Sequence, residues 1–360
     1  MKIVMAYSKK EYLIWLDSFR GIEYKHKNYL YENYKNVTIK DNVKSQENYI
    51  RKFLGDGVFN TLLIAATDEH INYVLSSLDK SNVKYFTIAD SVYPEELKEV
   101  PCPPLVLYYK GNIELLKDKK FAVVGSRKTL PFIVAKTEEI VSTLNRAGIT
   151  AVTGLAEGGD EAVITAGIKT GKIISVLASG FDCVYPKANQ GLFERVCKSG
   201  LVLSEYPPET KSERYFFPVR NRIIAGLGMG ALIVSGGEKS GTFYTAEYTE
   251  VVSRQVFTFP YSINVSSGVG CNKLLQQGAY LTMNAEDILD FYGIEVPKEQ
   301  TVELTDREKQ LYDIIKENEV HIDKLCEMTG KKAFELIPVL SMLEIKKLIV
   351  KLGGNRYSKV

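Results

Sequence analysis

The residues best suited to hold an anion in this chain lie in several short glycine-containing stretches. Gly125-Ser126-Arg127-Lys128-Thr129 offers close backbone approach, a hydroxyl and the forked donor of an arginine, which matches a phosphate. It lacks GxGxxG or Walker spacing, and by itself reads equally as a plain turn with an exposed arginine. Thr153-Gly154-Leu155-Ala156-Glu157-Gly158-Gly159-Asp160 leads into a helical pattern. Its glycines either open helix N–H groups to an anion or serve tight helix–sheet packing. Phe181, Tyr185 and Lys187 set aromatics beside a cation. Such a mixture suits stacked bases and paired phosphates, or else a lipophilic loop lying on a sheet. In Phe216-Phe217-Pro218-Val219-Arg220-Asn221-Arg222 the proline suits a helix start. On a helix Arg220 and Arg222 diverge, so one can face a cleft while the other braces the loop. Ser240, Gly241 and Thr242 form a further phosphate seat ahead of a helix.

These stretches need a scaffold that gathers loop ends, and the pattern from about 120 to 291 supplies it. Phe121–Val124, Ile149–Val152, Ile173–Leu177, Leu201–Leu203, Ala231–Val234 and Val256–Phe259 are short apolar runs. Helical stretches such as Phe132–Asn145 and Glu161–Lys169 alternate with them. Fully apolar strands alternating with helices predict a mainly parallel sheet covered on both faces, an α/β doubly wound fold. In such sheets ligands sit at the carboxyl ends of strands.

On the N-terminal side, Tyr12, Leu13, Trp15, Leu16 and Phe19 give a helical stripe before Arg20-Gly21, and residues 1 to about 54 read as helical. Leu62-Leu63-Ile64 and Tyr85–Ile88 read as short strands, and Pro101-Cys102-Pro103-Pro104 as a linker. On the C-terminal side Thr305-Asp306-Arg307-Glu308 is a capping box. Three helices and a glycine-turned hairpin follow it, the winged-helix order. A short polar link near Pro297–Thr301 precedes them. The expected domains are 1–104, mostly helical; 105–296, the sheet domain; and 302–360, the winged helix.

Composition narrows the function classes. The 46 basic and 44 acidic side chains leave a net charge of +2, which excludes binding by bulk positive charge, so an anion site must be built locally. No stretch reaches the ~18 apolar residues of a membrane span. The start of the chain has no apolar core with a small-residue cleavage site. The five cysteines form no CxxC pair and the three histidines are scattered. The expectation is a cytoplasmic, reduced protein with no metal, no cofactor and no membrane.

Taken together, the motifs resemble the DNA-processing protein A (DprA, also called Smf) family from about Tyr93 to Ala279. The resemblance begins at Tyr93-Pro94 and Pro103-Pro104-x-Leu-x-Leu-Tyr108-x-Lys-Gly111. Val124–Arg127, Thr153–Ala156, Asp182-x-x-Tyr185-Pro186-x-x-Asn189 and Ser204-Glu205-Tyr206-Pro207 continue it. It closes with Phe217-Pro218-x-Arg220-Asn221-Arg222-Ile223-Ile224, Ser240-Gly241-Thr242 and Gly268-x-Gly270-x-Asn272.

The resemblance implies an extended Rossmann-like domain with a helical (SAM-like) N-terminal domain and a winged-helix C-terminal domain. It implies a non-enzymatic homodimer that binds single-stranded DNA, protects incoming strands in natural transformation and loads the recombinase RecA. Its single-strand pocket maps to Gly125, Ser126, Arg127 and Lys187, with Phe193 as a stacking face. Gly154, Arg220, Asn221, Arg222, Ser240, Gly241 and Thr242 complete the candidate DNA-binding set. The chain departs from the family pattern at Glu157, at Ser235-Gly236-Gly237, where an acidic residue is usual, and at Pro260-Tyr261.

Two other readings compete. Ser235-Gly236-Gly237-x-x-Ser240-Gly241-Thr242 with Glu247 looks like the loop of Rossmann-type nucleotide phosphoribohydrolases acting on nucleoside monophosphates, though with stretched spacing. The winged helix could read duplex DNA through Lys331, Lys332, Lys346, Lys347 and Lys351. Its 12 basic and 12 acidic residues over 295–360, and Pro338 in its third helix, favour a protein-contact or regulatory role instead.

Overall fold

A computed structural model describes residues 7–19, 21–295, 304–315, 319–346 and 348–359. Arg20, the link at Pro297–Thr301 and Lys347 lie outside the described residues. Two compact units divide the chain, Met1–Val296 and Pro297–Val360.

The first unit opens with six helices: α1 (Lys9–Asp17), α2 (Tyr24–Glu32), α3 (Ile39–Ser45), α4 (Glu47–Leu54), α5 (Asp56–Ala65) and α6 (Asp68–Lys80). Ser8 and Glu11 cap α1 reciprocally: Glu11 N–H donates to Ser8 Oγ at 3.2 Å and Ser8 N–H to Glu11 Oε2 at 2.7 Å. Trp15, Leu16, Leu30, Ile50, Phe59 and Leu62 close a core of their own, and the Trp15 indole N–H donates to Ala65 O at 2.9 Å. The expected strand at Leu62-Leu63-Ile64 is instead part of α5. Phe59 and Leu62 face the core while Ile64 is 77% exposed, the three-to-four residue period of a helix face.

Nine strands follow: β1 (Lys84–Thr87), β2 (Val106–Gly111), β3 (Lys119–Gly125), β4 (Ile149–Thr153), β5 (Ile173–Val176), β6 (Leu201–Ser204), β7 (Gly230–Ser235), β8 (Gln255–Thr258) and β9 (Tyr280–Leu281). They order as β1-β2-β6-β5-β4-β3-β7-β8-β9. The strands from β6 to β9 in that order pair in parallel, while β2 joins β6, and β1 joins β2, antiparallel. The expected mainly parallel, doubly wound sheet is present, widened by an antiparallel edge. Connecting helices are α7 (Pro131–Arg146), α8 (Gly159–Thr170), α9 (Gln190–Ser199), α10 (Phe216–Leu227), α11 (Phe243–Val251), α12 (Val269–Gln276) and α13 (Ala285–Phe291).

The apolar runs are explained by burial on both faces. Along β3, Phe121 and Val123 pack with Ile140, Val163 and Ile288, whereas Ala122 and Val124 pack with Ile223, Ile224 and Leu274. The chain winds from β3 towards β6 on one side and from β7 towards β9 on the other, so the strand order reverses between β3 and β7. A crevice opens at the carboxyl ends of strands at such a reversal.

The second unit contains α14 (Asp306–Ile314), β10 (Val320–His321), α15 (Ile322–Thr329), α16 (Ala333–Ile345), β11 (Ile349–Leu352) and β12 (Arg356–Lys359). Leu311, Leu325, Leu336, Leu340 and Tyr357 form its core, and β10-β12-β11 is the wing sheet. Its third helix keeps Pro338 inside and exposes Phe334, Ile337 and Ile345. Among the described residues no helix is long and apolar enough to cross a membrane.

Candidate nucleic-acid interface

A cavity of about 680 Å³ occupies the crevice between the ends of β3 and β7. The loop after β3 forms one wall with Gly125, Ser126, Arg127 and Lys128. The start of α10 contributes Phe217, Pro218, Arg220 and Asn221. The loop into α11 supplies Ser240, Gly241 and Thr242, with Thr245 one turn further on. Arg127 and Lys128 are exposed, and no ion pair of either is found among the described residues. Thr242 is the residue before α11, so the N–H groups of that helix start at the cavity. The Thr245 hydroxyl is fully buried, lines the cavity and has no hydrogen-bond partner among the described residues.

Ser235 fixes the arginine loop. Its Oγ accepts from Ser126 N–H at 2.9 Å and lies 3.1 Å from Ser126 Oγ and 2.7 Å from Thr129 Oγ1. A hydroxyl thus anchors the loop at the position where an acidic side chain was expected from the resemblance.

The second glycine stretch serves packing. A Cβ on Gly125 would lie 2.7 Å from Gly159 Cα, so the amino end of α8 abuts the end of β3. Gly158 has φ +80°, and a Cβ there would meet Ser126 O at 2.6 Å. The local donors are already used: Gly159 N–H donates to Ser126 O at 3.1 Å, and Asp160 accepts from Gly125 N–H at 3.3 Å and Ala156 N–H at 3.2 Å. Gly154 is buried beneath the cavity and does not line it, a correction to its expected place among the binding residues. Its missing side chain makes room for Asp160 and Arg220. Burial pushes the Asp160 carboxyl up, against the opposing pull of Arg220 and the two N–H donors. Burial likewise pulls the Arg220 guanidinium down, against Asp160.

The three polar residues at the centre of the Phe-Pro-x-Arg-Asn-Arg block each tie α10 to a different loop. Arg220 donates through Nε to Asn221 Oδ1 at 3.0 Å and through Nη1 to Val176 O at the end of β5. Asn221 Nδ2 donates to Gly241 O at 3.1 Å. Arg222 turns away to Glu205, at 2.6 Å, and lines a different cavity. The expected divergence of the two arginines is present, but Arg222 does not reach the first site because its helical position directs it to the end of β6.

Lys187 is exposed on a short 3-10 turn (Lys187–Asn189) and does not line the cavity. Tyr185, two residues earlier, packs edge-on against Phe217 with centroids 5.8 Å apart, which sets that turn beside the rim. Phe193 is 6% exposed on the inner face of α9 and packs with Phe181 at 6.1 Å. It offers no free face to a base, because its helix needs that ring for the core. Glu157 is exposed and Glu247 lies on the outer side of α11; neither lines the cavity. Lys128, Asp160, Phe217 and Thr245 line it without having been in the expected set. Lys128 and Phe217 stand inside the quoted motif stretches and were legible there. Asp160 needed knowledge of Arg220, 60 positions away, whereas Thr245 stands three residues past Thr242 in the helix that the Ser240–Thr242 loop opens.

Two family models match the chain: DNA recombination-mediator protein A over residues 84–293 and the DprA winged helix domain over residues 295–355. The chain is 40% identical over 205 residues to DNA processing protein DprA of Streptococcus pneumoniae, covering 57% of this chain and 72% of that one. It is 38% identical over 235 residues to the Bacillus subtilis protein of the same name, covering 65% and 77%. The X-ray structure of the S. pneumoniae protein superposes with a TM-score of 0.70 at 32% identity, over 81% of this chain and 99% of that one. DNA processing protein A from Helicobacter pylori, a structure described for its single-stranded DNA binding mode, gives 0.54 at 26% identity over 60% and 99%.

Proposed function

The chain belongs to the DNA recombination-mediator protein A (DprA/Smf) family, and from that membership we propose that it binds single-stranded DNA without chemical turnover. The observation that carries this reading is the cavity between β3 and β7, with Arg127 and Lys128 at its rim and hydroxyl and backbone donors within. Those groups suit a phosphodiester backbone, and Tyr185 and Phe217 at the same rim suit stacked bases. The H. pylori relative, described by the same ligand, supports it. Lys187 is proposed to extend the cationic track beyond the cavity.

Protection of incoming strands, loading of RecA, homodimerisation and a cytoplasmic location are the wider role we propose. We propose three modules, 1–104, 105–296 and 302–360, the first lending strand β1 to the sheet of the second. A nucleotide-cleaving role is disfavoured by the position of Glu247 outside the cavity and by the hydrogen-bonded burial of Asp160, the carboxylate among the lining residues. Filter retention of oligodeoxythymidylate against duplex of equal length, with RecA filament assembly read in parallel, tests the proposal. Selective retention of the single strand is expected. Equal or absent retention, or release of free base from a nucleoside monophosphate, would contradict it.

A further inference from the structure

We propose that a second cavity, on the other side of α10, receives a nucleobase from the strand held in the first; the proposal rests on the single-stranded DNA reading above. Successive residues of α10 divide between two spaces. Phe217, Pro218, Arg220 and Asn221 line the first cavity, whereas Phe216, Val219 and Arg222 line the second. The three-residue steps 216, 219, 222 follow one helix face. The second cavity holds about 410 Å³ between the N-terminal helices and the ends of the sheet, within the roughly 300–1,000 Å³ usual for small-ligand sites.

Its lining selects a flat, neutral, hydrogen-bonding guest. Tyr206 and Phe216 stack with centroids 4.0 Å apart and planes at 18°, and Tyr215 meets Phe216 edge-on at 4.6 Å. Among the described lining residues the charges are matched in pairs, Asp17 with Lys27 at 3.0 Å and Glu205 with Arg222 at 2.6 Å. Within the Glu205 pair one donor remains. Arg222 Nη1 is buried and has no hydrogen-bond partner among the described residues, while the residue as a whole is only 5% exposed. Such a donor calls for an acceptor from a guest.

A guanidinium donor beside a carboxylate acceptor matches the adjacent acceptor and donor on the pairing edge of every base. The site would therefore hold a base with little preference among the four. Tyr215, 61% exposed, precedes α10 at the mouth, where a strand leaving the first cavity needs to cross only the first turn of that helix.

Photocross-linking of the full chain to oligodeoxythymidylate carrying 4-thiothymidine, with adducts mapped by mass spectrometry, tests this. Adducts are expected on Tyr24, Tyr206 or Tyr215 as well as on Phe217 or Tyr185. Tyr215→Ala, a change at an exposed ring, should remove the Tyr206 adduct and weaken retention roughly tenfold, the scale of one lost stack. Adducts confined to Tyr185 and Phe217, with unchanged affinity of Tyr215→Ala, would overturn the second cavity and leave single-strand binding standing. No adduct and no retention would overturn both.

Discussion

Asp160 and Arg220 approach each other across a residue that has no side chain: a Cβ on Gly154 would lie 2.5 Å from Asp160 Oδ2 and 2.6 Å from Arg220 Nη1. Both charged groups are buried and both hold the cavity, Asp160 through the N–H groups of Gly125 and Ala156, Arg220 through Val176. Gly154→Ala must part them. We expect a loss of about 1–3 kcal/mol from overpacking, read as a lower urea midpoint in circular dichroism.

Ser235→Ala removes the oxygen shared by Ser126 and Thr129. The Ser126 N–H also points to Ser235 O, at 3.1 Å, so the loop keeps one anchor. A stability loss of about 1–2 kcal/mol is expected in thermal unfolding, with single-strand affinity falling as the arginine loop loosens.

Arg127→Ala and Lys128→Ala act on the ligand. Both side chains are exposed and outside the core, so stability should change by no more than about 0.5 kcal/mol. Each should lower the slope of log affinity against log salt by about 0.7, the value for one phosphate contact on a single strand. Fluorescence anisotropy titrations at several salt concentrations measure it.

Asp118 gives a pH dependence. Burial raises its pKa, but the Lys172 ammonium at 2.8 Å and the Thr150 hydroxyl at 2.7 Å outweigh burial, so it ends below its ordinary value. A folded-state value below the unfolded one contributes stability above the unfolded pKa and loses it as pH falls through the folded one. Asp118→Asn should therefore cost stability at neutral pH and converge with the parent chain in acid, below the ordinary carboxylate range. Urea midpoints measured from pH 7 down to acid would show the convergence.

Removing residues 301–360 should leave single-strand affinity within about twofold. The winged helix is a separate compact unit, and its third helix presents Phe334, Ile337 and Ile345 to solvent rather than a row of cations. Lys346 and Arg356 are occupied by Glu308 and Glu319. A more than twofold fall in the single-strand affinity of the truncated chain in an electrophoretic shift would contradict this.

The parallel strands were legible because burial on both faces leaves an unbroken apolar run, as in Phe121–Val124. The same rule misled at Leu62–Ile64, where three apolar residues in a row look alike on a strand and on a helix with one outward position. Strand β2 was hidden behind the prolines before it, and its pairing with β6, some 90 residues on, is an antiparallel contact that no local pattern announces. At the site, Arg127 and the Ser240–Thr242 loop could be read from residue type and order. Whether a ring such as Phe193 faces a ligand or the core depends on helix phase against the sheet, and Gly154 needed its neighbours Asp160 and Arg220 in space.

The single tryptophan has an optical consequence. Trp15 is enclosed by the N-terminal helices, hydrogen-bonded to Ala65 O and edge-on to Phe19 at 5.0 Å. Red-edge excitation therefore addresses those helices alone, and emission shifts report their opening. The sheet domain answers only through its tyrosines. Trp15 emission followed beside the far-ultraviolet circular dichroism of the whole chain thus compares the opening of those helices with global unfolding, and a disagreement between the two melting curves would measure how independently the helical segment unfolds.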